Sequence, residues 1–390
     1  MRLGTGKGKG KGGGEGAASP MFGFTRYFVI AVVGLVFMSA SLARAVAKSE
    51  TIASSLSGAT AQAKAESKSV RFPGQGVTLA GTLLSPSAAT NVPRVAKRPA
   101  VLLVGEEGTS TRDGYTVGKA NHQVYLELAE GLAAAGIPSL RFDRRCRGES
   151  DCRQPKSFDD LIDDTHGALL FLGNQPGIDA SRLLIVGHGE GGYLGICLLS
   201  QKEGAAAGLV TINTSGRTLG KMVREEFQAR MKEEGYTPAQ INPILARAER
   251  VTRQMAYGLT SLSSENLDPA NRYDAELLRR MDQYPMVIGL LVNDPLQIIT
   301  AVRVPVLLLQ GEKDVRVTTR DVGFLEESLK RTNHPDFSVR TFPDMDHWLK
   351  VNPGSASFAA EEDATRPFEK GLIPVLIEWC KSRFADRPRR

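Results

Sequence analysis

The chain has 390 residues, of which 42% are hydrophobic, enough for one large domain or two smaller ones with a substantial core. Its net charge of +6 lies mostly at the N-terminus, because residues 1–47 carry six basic residues and one acidic residue. The remainder has a net charge of +1, so composition gives no support for nucleic-acid binding, and no nucleic-acid partner is predicted.

The N-terminal segment has the layout of a secretory signal. Arg26 precedes an uninterrupted run of apolar and small residues at 27–40, and two overlapping A-x-A cleavage sites lie within 43–47. The pattern predicts a signal peptide over 1–47 and an exported protein, periplasmic or extracellular. The run is short for a membrane span of about 20 residues, although an uncleaved anchor stays open. Met21 is an alternative start.

The remaining elements alternate in the manner of an α/β fold. A linker is predicted at 48–68, followed by a hairpin of two strands at 70–72 and 77–84. Short apolar strands then alternate with helices, which predicts a parallel sheet covered on both faces. The strands are predicted at 100–104, 137–142, 183–186 and 209–213, and the helices at 124–135, 158–172 and 191–200.

Residues 215–300 interrupt this alternation. They are rich in Arg and Glu, are helical in pattern and contain several prolines. We interpret them as a helical cap inserted over the carboxyl ends of the strands, where open α/β sheets bind ligands. A solvated helical decoration is the alternative. The alternation resumes with strands at 304–310 and 337–342 and helices at 322–331 and 368–384.

Four cysteines are present, and two of them lie in one loop. Cys146 and Cys152 are six residues apart, so they either form a disulfide or remain as two free thiols. No C-x-x-C occurs and the five histidines are scattered, so no metal site is predicted.

The run Gly187-His188-Gly189-Glu190-Gly191-Gly192 follows an apolar strand and precedes a helix. This is the setting of a nucleophile elbow, whose pattern is Gly-x-Ser-x-Gly, but Gly189 stands at the serine position. Two further residues follow in the chain order that such hydrolases use. Asp314 and His347 each lie in a loop after a predicted strand, and we expect them to occupy the acid and base positions.

Taken together, these motifs resemble the α/β-hydrolase superfamily, closest to exported bacterial esterases with a serine-aminopeptidase-like domain. The likeness is carried by the elbow, by the loops of Asp314 and His347, and by stretches at 76–83 and 140–145. It implies an α/β-hydrolase fold, hydrolysis of carboxylic esters, thioesters or peptides, no metal or organic cofactor, and a small acyl-ester or peptide-like ligand under the cap.

The chain departs from the family where the chemistry should be. The family has His-Gly-Ser-Gly after the first parallel strand, and this chain has Gly105-Glu106-Glu107-Gly108. The resemblance places the oxyanion region at Gly105, Glu106 and Glu190. Carboxylates there would oppose a developing oxyanion if they were ionised and pointed inward.

Three hypotheses follow for the function. The first is a pseudoenzyme or repurposed hydrolase that lacks the serine nucleophile. In the second, His347 and Asp314 activate water directly. The third is nucleotide binding, because Gly187-x-Gly189-x-x-Gly192 matches a dinucleotide fingerprint.

Overall fold

One eight-stranded sheet carries the candidate residues at the ends of its strands. The structure, a computed structural model, describes residues 65–86, 97–107, 109, 111–115, 123–259, 267–282, 286–363 and 365–384. The strand order is β1-β2-β4-β3-β5-β6-β7-β8; β2 runs antiparallel to both of its neighbours, β1 and β4, and every other neighbouring pair is parallel. The strands are β1 (Glu66–Pro73), β2 (Thr78–Ser85), β3 (Arg98–Val104), β4 (Ser139–Phe142), β5 (Ile178–His188), β6 (Gly208–Ile212), β7 (Val306–Gly311) and β8 (Phe337–Phe342).

Helices cover both faces of this sheet, as an α/β-hydrolase fold requires, and that prediction is confirmed. Alternate side chains of β3 enter the two layers, with Leu102 packed in one and Leu103 in the other. The first layer is closed by α2 (Asp159–Gly173), α3 (Glu190–Gln201) and α9 (Thr319–Arg331). The second is closed by α1 (Val124–Ala134) and α11 (Leu372–Phe384).

In the described part of the chain between β6 and β7, five α-helical segments lie in the range predicted as a cap. All but the last of these segments contribute to a separate apolar cluster, which includes Val223, Phe227, Leu245, Val251 and Leu277. The segments are α4 (Leu219–Glu233), α5 (Pro238–Ala256), α6 (Arg272–Asp282), α7 (Ile288–Val292) and α8 (Pro295–Ile298), and a short α10 (Phe358–Glu361) lies near the end of the chain.

Some boundaries differ from the predictions for local physical reasons. Strand β1 starts at Glu66, inside the range predicted as linker, because its first half pairs with β2 although its side chains are exposed. Strand β5 starts at Ile178, and its polar first half hid the strand pattern. Helix α11 starts at Leu372, since Phe368 instead forms a β-bridge with Lys350.

Several predictions about the N-terminus concern residues outside the described part of the chain. The signal peptide at 1–47 lies there entirely, and the linker at 48–68 lies there up to residue 64. Among the described residues, no helix is both long enough and apolar enough to cross a membrane. The loop after β4 contains a disulfide between Cys146 and Cys152, which resolves the alternative that the sequence left open.

Candidate active site

The turn between β5 and α3 has a tight backbone. Gly189 has φ +55° and ψ −119°, a conformation that costs residues with a side chain about 1–3 kcal/mol. A Cβ on Gly187 would overlap the backbone of Gly191, and a Cβ on Gly192 would overlap Oγ1 of Thr214. The glycines at 187 and 192 therefore allow the strand and the helix to pack closely.

A carboxylate fills the space beside Gly189. A Cβ added to Gly189 would overlap Oε2 of Glu106, which lies in the loop after β3. The same oxygen accepts a hydrogen bond from the backbone N–H of Glu190 at 2.7 Å. A donor at the start of the helix after the elbow is one that stabilises the oxyanion in such hydrolases. Glu106 thus occupies the volume of a serine side chain and engages an oxyanion donor.

The surroundings of Glu106 are buried and charged. Burial raises the pKa of Glu106, and the opposing effects of His347 and of the N–H of Glu190 are smaller. Burial also raises the pKa of Glu190 to about 7, although Glu190 pairs with Arg144 at 2.5 Å. The side of the site that should present a neutral hydroxyl therefore holds two half-buried carboxyl groups and a guanidinium.

Asp314 and His347 form a hydrogen-bonded pair. The loops after β7 and β8 bring them together, with Nδ1 of His347 2.8 Å from Oδ2 of Asp314. The other oxygen of Asp314 accepts the backbone N–H groups of Arg316 and Val317, each at 2.8 Å. Burial lowers the pKa of His347, but the charge and hydrogen bond of Asp314, together with the charge of Glu106, outweigh burial and raise it to about 9.

A chain of hydrogen bonds links the two sides of the site. The hydroxyl of Tyr125 accepts the N–H of Glu106 at 2.7 Å and lies 2.8 Å from Nδ1 of His188. The other ring nitrogen of His188 lies 2.8 Å from the carbonyl oxygen of His347. Burial, with the charge of His347, lowers the pKa of His188 to about 3. A neutral His188 accepts at Nδ1 and donates from Nε2, which matches this chain.

The side chain of Asn213 connects the loops that carry Asp314 and His347 through hydrogen bonds to their backbone. Asn213 directly follows β6 with a φ of +48°, and its side-chain amide donates to the carbonyl oxygens of Asp346 and His347 at 2.9 and 3.2 Å. Its side-chain oxygen accepts the N–H of Gly311 at 2.8 Å. Sequence reasoning missed Tyr125 and Asn213. Asn213 carried one signal, since asparagine tolerates positive φ and this one directly follows an apolar strand.

Glu106, Gly189, Glu190 and His347 all line one cavity of about 780 Å³. The inserted helices supply much of the remaining wall, both apolar and charged. These wall residues include Leu219, Met222, Val223, Phe227, Arg230, Arg279 and Arg280. Gly105 lies against the ring of Tyr125 instead. Among the described residues, no group of three or more His, Cys, Asp and Glu side chains is arranged to hold a metal ion.

The sequence profile of the family described as serine aminopeptidase, S33, matches residues 118–353, more than half of the chain. The chain belongs to this S33 family. The matched segment contains Gly189, Asp314 and His347, and it begins after Glu106. The loop that carries the Glu106 carboxylate therefore lies outside the match to the S33 family.

Known proteins similar to the chain are named as esterases and related hydrolases. Esterase EstD of Thermotoga maritima is 25% identical over 72% of this chain, and the match spans 61% of the length of EstD. An esterase from Pyrococcus furiosus has a similar structure, with a TM-score of 0.52 and 14% identity over 83% of this chain and 92% of its own. The α/β-hydrolase GrgF of Penicillium also has a similar structure, with a TM-score of 0.51 and 14% identity over 82% of this chain and 100% of its own. These structural likenesses support the α/β-hydrolase fold.

Proposed function

We propose that this protein is a repurposed S33 hydrolase that binds a small acyl-ester or peptide-like molecule and has lost serine-type ester hydrolysis. One observation carries the proposal. Glu106 lies where a serine side chain at position 189 would stand, and it engages the N–H of Glu190. Removing the serine from such a triad costs on the order of a million-fold in turnover. A carboxylate beside the oxyanion donors adds to that loss, because it repels a developing negative charge.

The state of His347 argues against direct activation of water in the resting site. Asp314 and Glu106 raise the pKa of His347 to about 9 against the effect of burial, so the imidazole holds its proton at neutral pH. A protonated imidazole cannot accept a proton from water. The water-activating alternative therefore requires the charge of Glu106 to be removed first.

The glycine fingerprint has an explanation that needs no nucleotide. Gly187 and Gly192 are required by backbone packing around the elbow. The first N–H of α3, which would approach a pyrophosphate in a dinucleotide site, is engaged by Glu106. A bound phosphate would have to displace that carboxylate, so nucleotide binding has little support.

The cavity and the relatives support the ligand class. A volume of about 780 Å³ suits a small molecule, and the wall contributed by the inserted helices contains apolar residues such as Leu219, Val223 and Phe227. We interpret these helices as the cap. The match to Esterase EstD and the S33 profile favour an acyl-ester or peptide-like ligand.

Export is part of the proposal. The apolar run at 27–40 and the Cys146–Cys152 disulfide are both expected of a protein in an oxidising compartment. Attachment to the membrane through the N-terminal segment is the alternative to cleavage. Sequencing the N-terminus of the exported protein decides between them, since a mature chain starting before residue 43 would rule out cleavage at the A-x-A sites.

The main experiment compares the wild type with Gly189→Ser and with Glu106→Ala/Gly189→Ser on a panel of carboxylic esters. We expect no ester turnover and no labelling by a serine-directed phosphonate in the wild type. The single variant should gain little, because its new side chain overlaps Glu106. The double variant should be labelled and should hydrolyse esters.

A matched control adds His347→Ala to the double variant, which should abolish the restored turnover because the serine then has no base. Ester turnover by the wild type that disappears in His347→Ala would contradict the proposal. A double variant that is folded but inert would show that the Glu106 carboxylate is not what blocks serine chemistry.

A further inference from the structure

The site contains a set of groups that ligand binding without catalysis would not require. A half-buried carboxylate, Glu106, lies at the position of the missing nucleophile and lines the cavity. His347, oriented by Asp314, lines the same cavity and interacts electrostatically with Glu106. The N–H of Glu190 holds one oxygen of Glu106. Nucleophile, oriented imidazole and backbone donor are the parts that nucleophilic catalysis requires.

The two changes at this position complement each other sterically. A serine at 189 would overlap Glu106, whereas the glycine leaves room for the carboxylate to reach the N–H of Glu190. Loss of the hydroxyl by itself would leave a gap. Here the gap is filled by an acidic side chain whose backbone is fixed, because the N–H of Glu106 donates to Tyr125. Filling the gap with an anchored carboxylate indicates a rebuilt site.

We propose that Glu106 is a carboxylate nucleophile that attacks an sp³ carbon bearing a leaving group that departs as an anion. The proposal rests on the proposed function only in that Glu106 has replaced the serine. An ester carbonyl is the wrong partner, because attack by a carboxylate would give an anhydride that readily reverts. An alkyl carbon gives a stable ester at Glu106, and this defines the substrate class as alkyl electrophiles.

The two steps balance without a further reagent. In the first, an oxygen of Glu106 forms a bond to the alkyl carbon while the bond from that carbon to the leaving group breaks, and the leaving group takes the electron pair. In the second, His347 removes a proton from water and the hydroxide attacks Cδ of Glu106. The alcohol leaves and the carboxylate is restored. The sum is alkyl–X plus water giving alcohol, X⁻ and a proton.

Formation of the ester prepares His347 for the second step. Burial lowers the pKa of His347, and the charges of Asp314 and Glu106 raise it. Once Glu106 is esterified, its negative charge is gone, and Asp314 and Glu361 remain as the charges that raise the pKa of His347. The pKa of His347 then falls, so the imidazole releases its proton and becomes a base when water must be activated. The N–H of Glu190 is placed to stabilise the oxyanion formed at Cδ.

The cavity wall offers positive charge to a leaving anion. Arg279 and Arg280 of α6 both line the cavity and both pair with a single carboxylate, Glu276, at 2.9 and 2.8 Å. Glu107 and Glu226 also line the cavity and act on the charge of Arg279, so the two guanidinium groups contribute N–H donors and local positive charge rather than an unbalanced net charge. Halide, sulfate and alkoxide are leaving groups that such a wall can stabilise.

The test uses the full-length protein and three probes: 1-bromohexane, hexyl sulfate and 1,2-epoxyhexane. His347→Gln should accumulate a hexyl or hydroxyhexyl ester on the peptide that contains Glu106, detected by mass spectrometry. The same variant should turn over the probe about 100- to 10,000-fold more slowly than the wild type. The wild type, turning over in H₂¹⁸O, should incorporate ¹⁸O into Glu106, because the water attacks Cδ.

Two controls keep the result specific. Glu106→Gln should abolish both the adduct and turnover, and Glu327→Gln, at an exposed position of α9 that does not line the cavity, should change neither. Acid quenching of the wild type during turnover gives the adduct without relying on a variant that might misfold. Absence of a Glu106 adduct and of ¹⁸O in Glu106 with all three probes overturns the proposal. Ester turnover and phosphonate labelling are measured separately, so failure of the proposed function remains distinguishable.

Discussion

The two sides of the candidate site lie at the carboxyl ends of parallel strands of the same sheet, but they differ in how far they match the hydrolase pattern. On one side, Asp314 and His347 keep the residue types, the chain order and the hydrogen bond of a hydrolase acid–base pair. On the other side, Gly189 stands where the elbow pattern has serine, and Glu106 occupies the space that a side chain at 189 would take. In the function proposed above, the acid–base pair is retained while the attacking group and its charge are replaced.

The replacement changes the retained side electrostatically. A serine is neutral, whereas the charge of Glu106 raises the pKa of His347 together with the charge of Asp314. An acid–base pair that looks conventional in its geometry therefore differs in its protonation state. The two sides must be tested as a coupled system, and the predictions below separate their contributions.

The largest effect is expected on the retained side. Asp314→Asn should lower the free energy of unfolding by about 3–5 kcal/mol, because it removes one partner of a buried charged pair. Without the charge of Asp314, the pKa of His347 should fall towards the lower value that burial favours. Denaturant unfolding measures the first effect and NMR titration the second. Asp344→Asn, an exposed change in the loop of His347, should cost less than about 0.5 kcal/mol.

Stability should depend on pH through His347. Burial alone would lower its pKa, but Asp314 and Glu106 raise it from 6.5 to about 9, so the protonated form is favoured in the folded state. This stabilisation is fully present below pH 6.5 and is lost as pH rises through about 9, by about 3 kcal/mol in total. Unfolding measured between pH 6 and 10 should show the loss. In Glu106→Gln it should shift to lower pH, and an unshifted profile would mean that the two sides are not coupled.

The sequence predicted the side of Asp314 and His347 better than the side of Gly189 and Glu106. The strand–turn–helix pattern around Gly189, and the loops of Asp314 and His347, follow from local apolar periodicity and turn chemistry. The parallel sheet was predicted for the same reason. The order of the strands brings these loops together at the carboxyl end of the sheet. The chain order of the acid and the histidine was therefore enough to predict that Asp314 and His347 lie close together.

The role of Glu106 could not be predicted from its neighbours in sequence. The sequence placed it in the oxyanion region, but the direction of its side chain depends on the space left by Gly189, which lies 83 residues away along the chain. The anchoring of its backbone depends on Tyr125, a residue that reads as an ordinary buried position of α1. Contacts of this kind arise from tertiary packing, and no local pattern encodes them.

Any side chain introduced at position 189 should lower the free energy of unfolding. Gly189→Ala should lose about 1–3 kcal/mol from backbone strain, and more because its Cβ displaces Glu106. Glu106→Ala/Gly189→Ala should be more stable than the single Gly189→Ala variant, since the overlap is gone and only the strain remains. Gly323→Ala is the control, because α9 has open space there and alanine should be neutral or stabilising. A double variant no more stable than Gly189→Ala would show that Glu106 does not fill the space at 189.

The smallest effect is expected when the hydrogen-bond chain between the two sides, which runs through Tyr125 and His188, is broken. Tyr125→Phe removes the hydroxyl that joins Glu106 to His188, and His188 in turn contacts the carbonyl oxygen of His347. Leaving the buried N–H of Glu106 unpaired should cost about 1–3 kcal/mol in denaturant unfolding. The exposed Tyr115→Phe should stay within about 0.5 kcal/mol of the wild type. Because the chain ends on the backbone that carries His347, Tyr125→Phe should also move the NMR titration midpoint of that residue. Lost stability with an unmoved midpoint would mean that the hydrogen bonds support only the Glu106 side and that the coupling runs through charge alone.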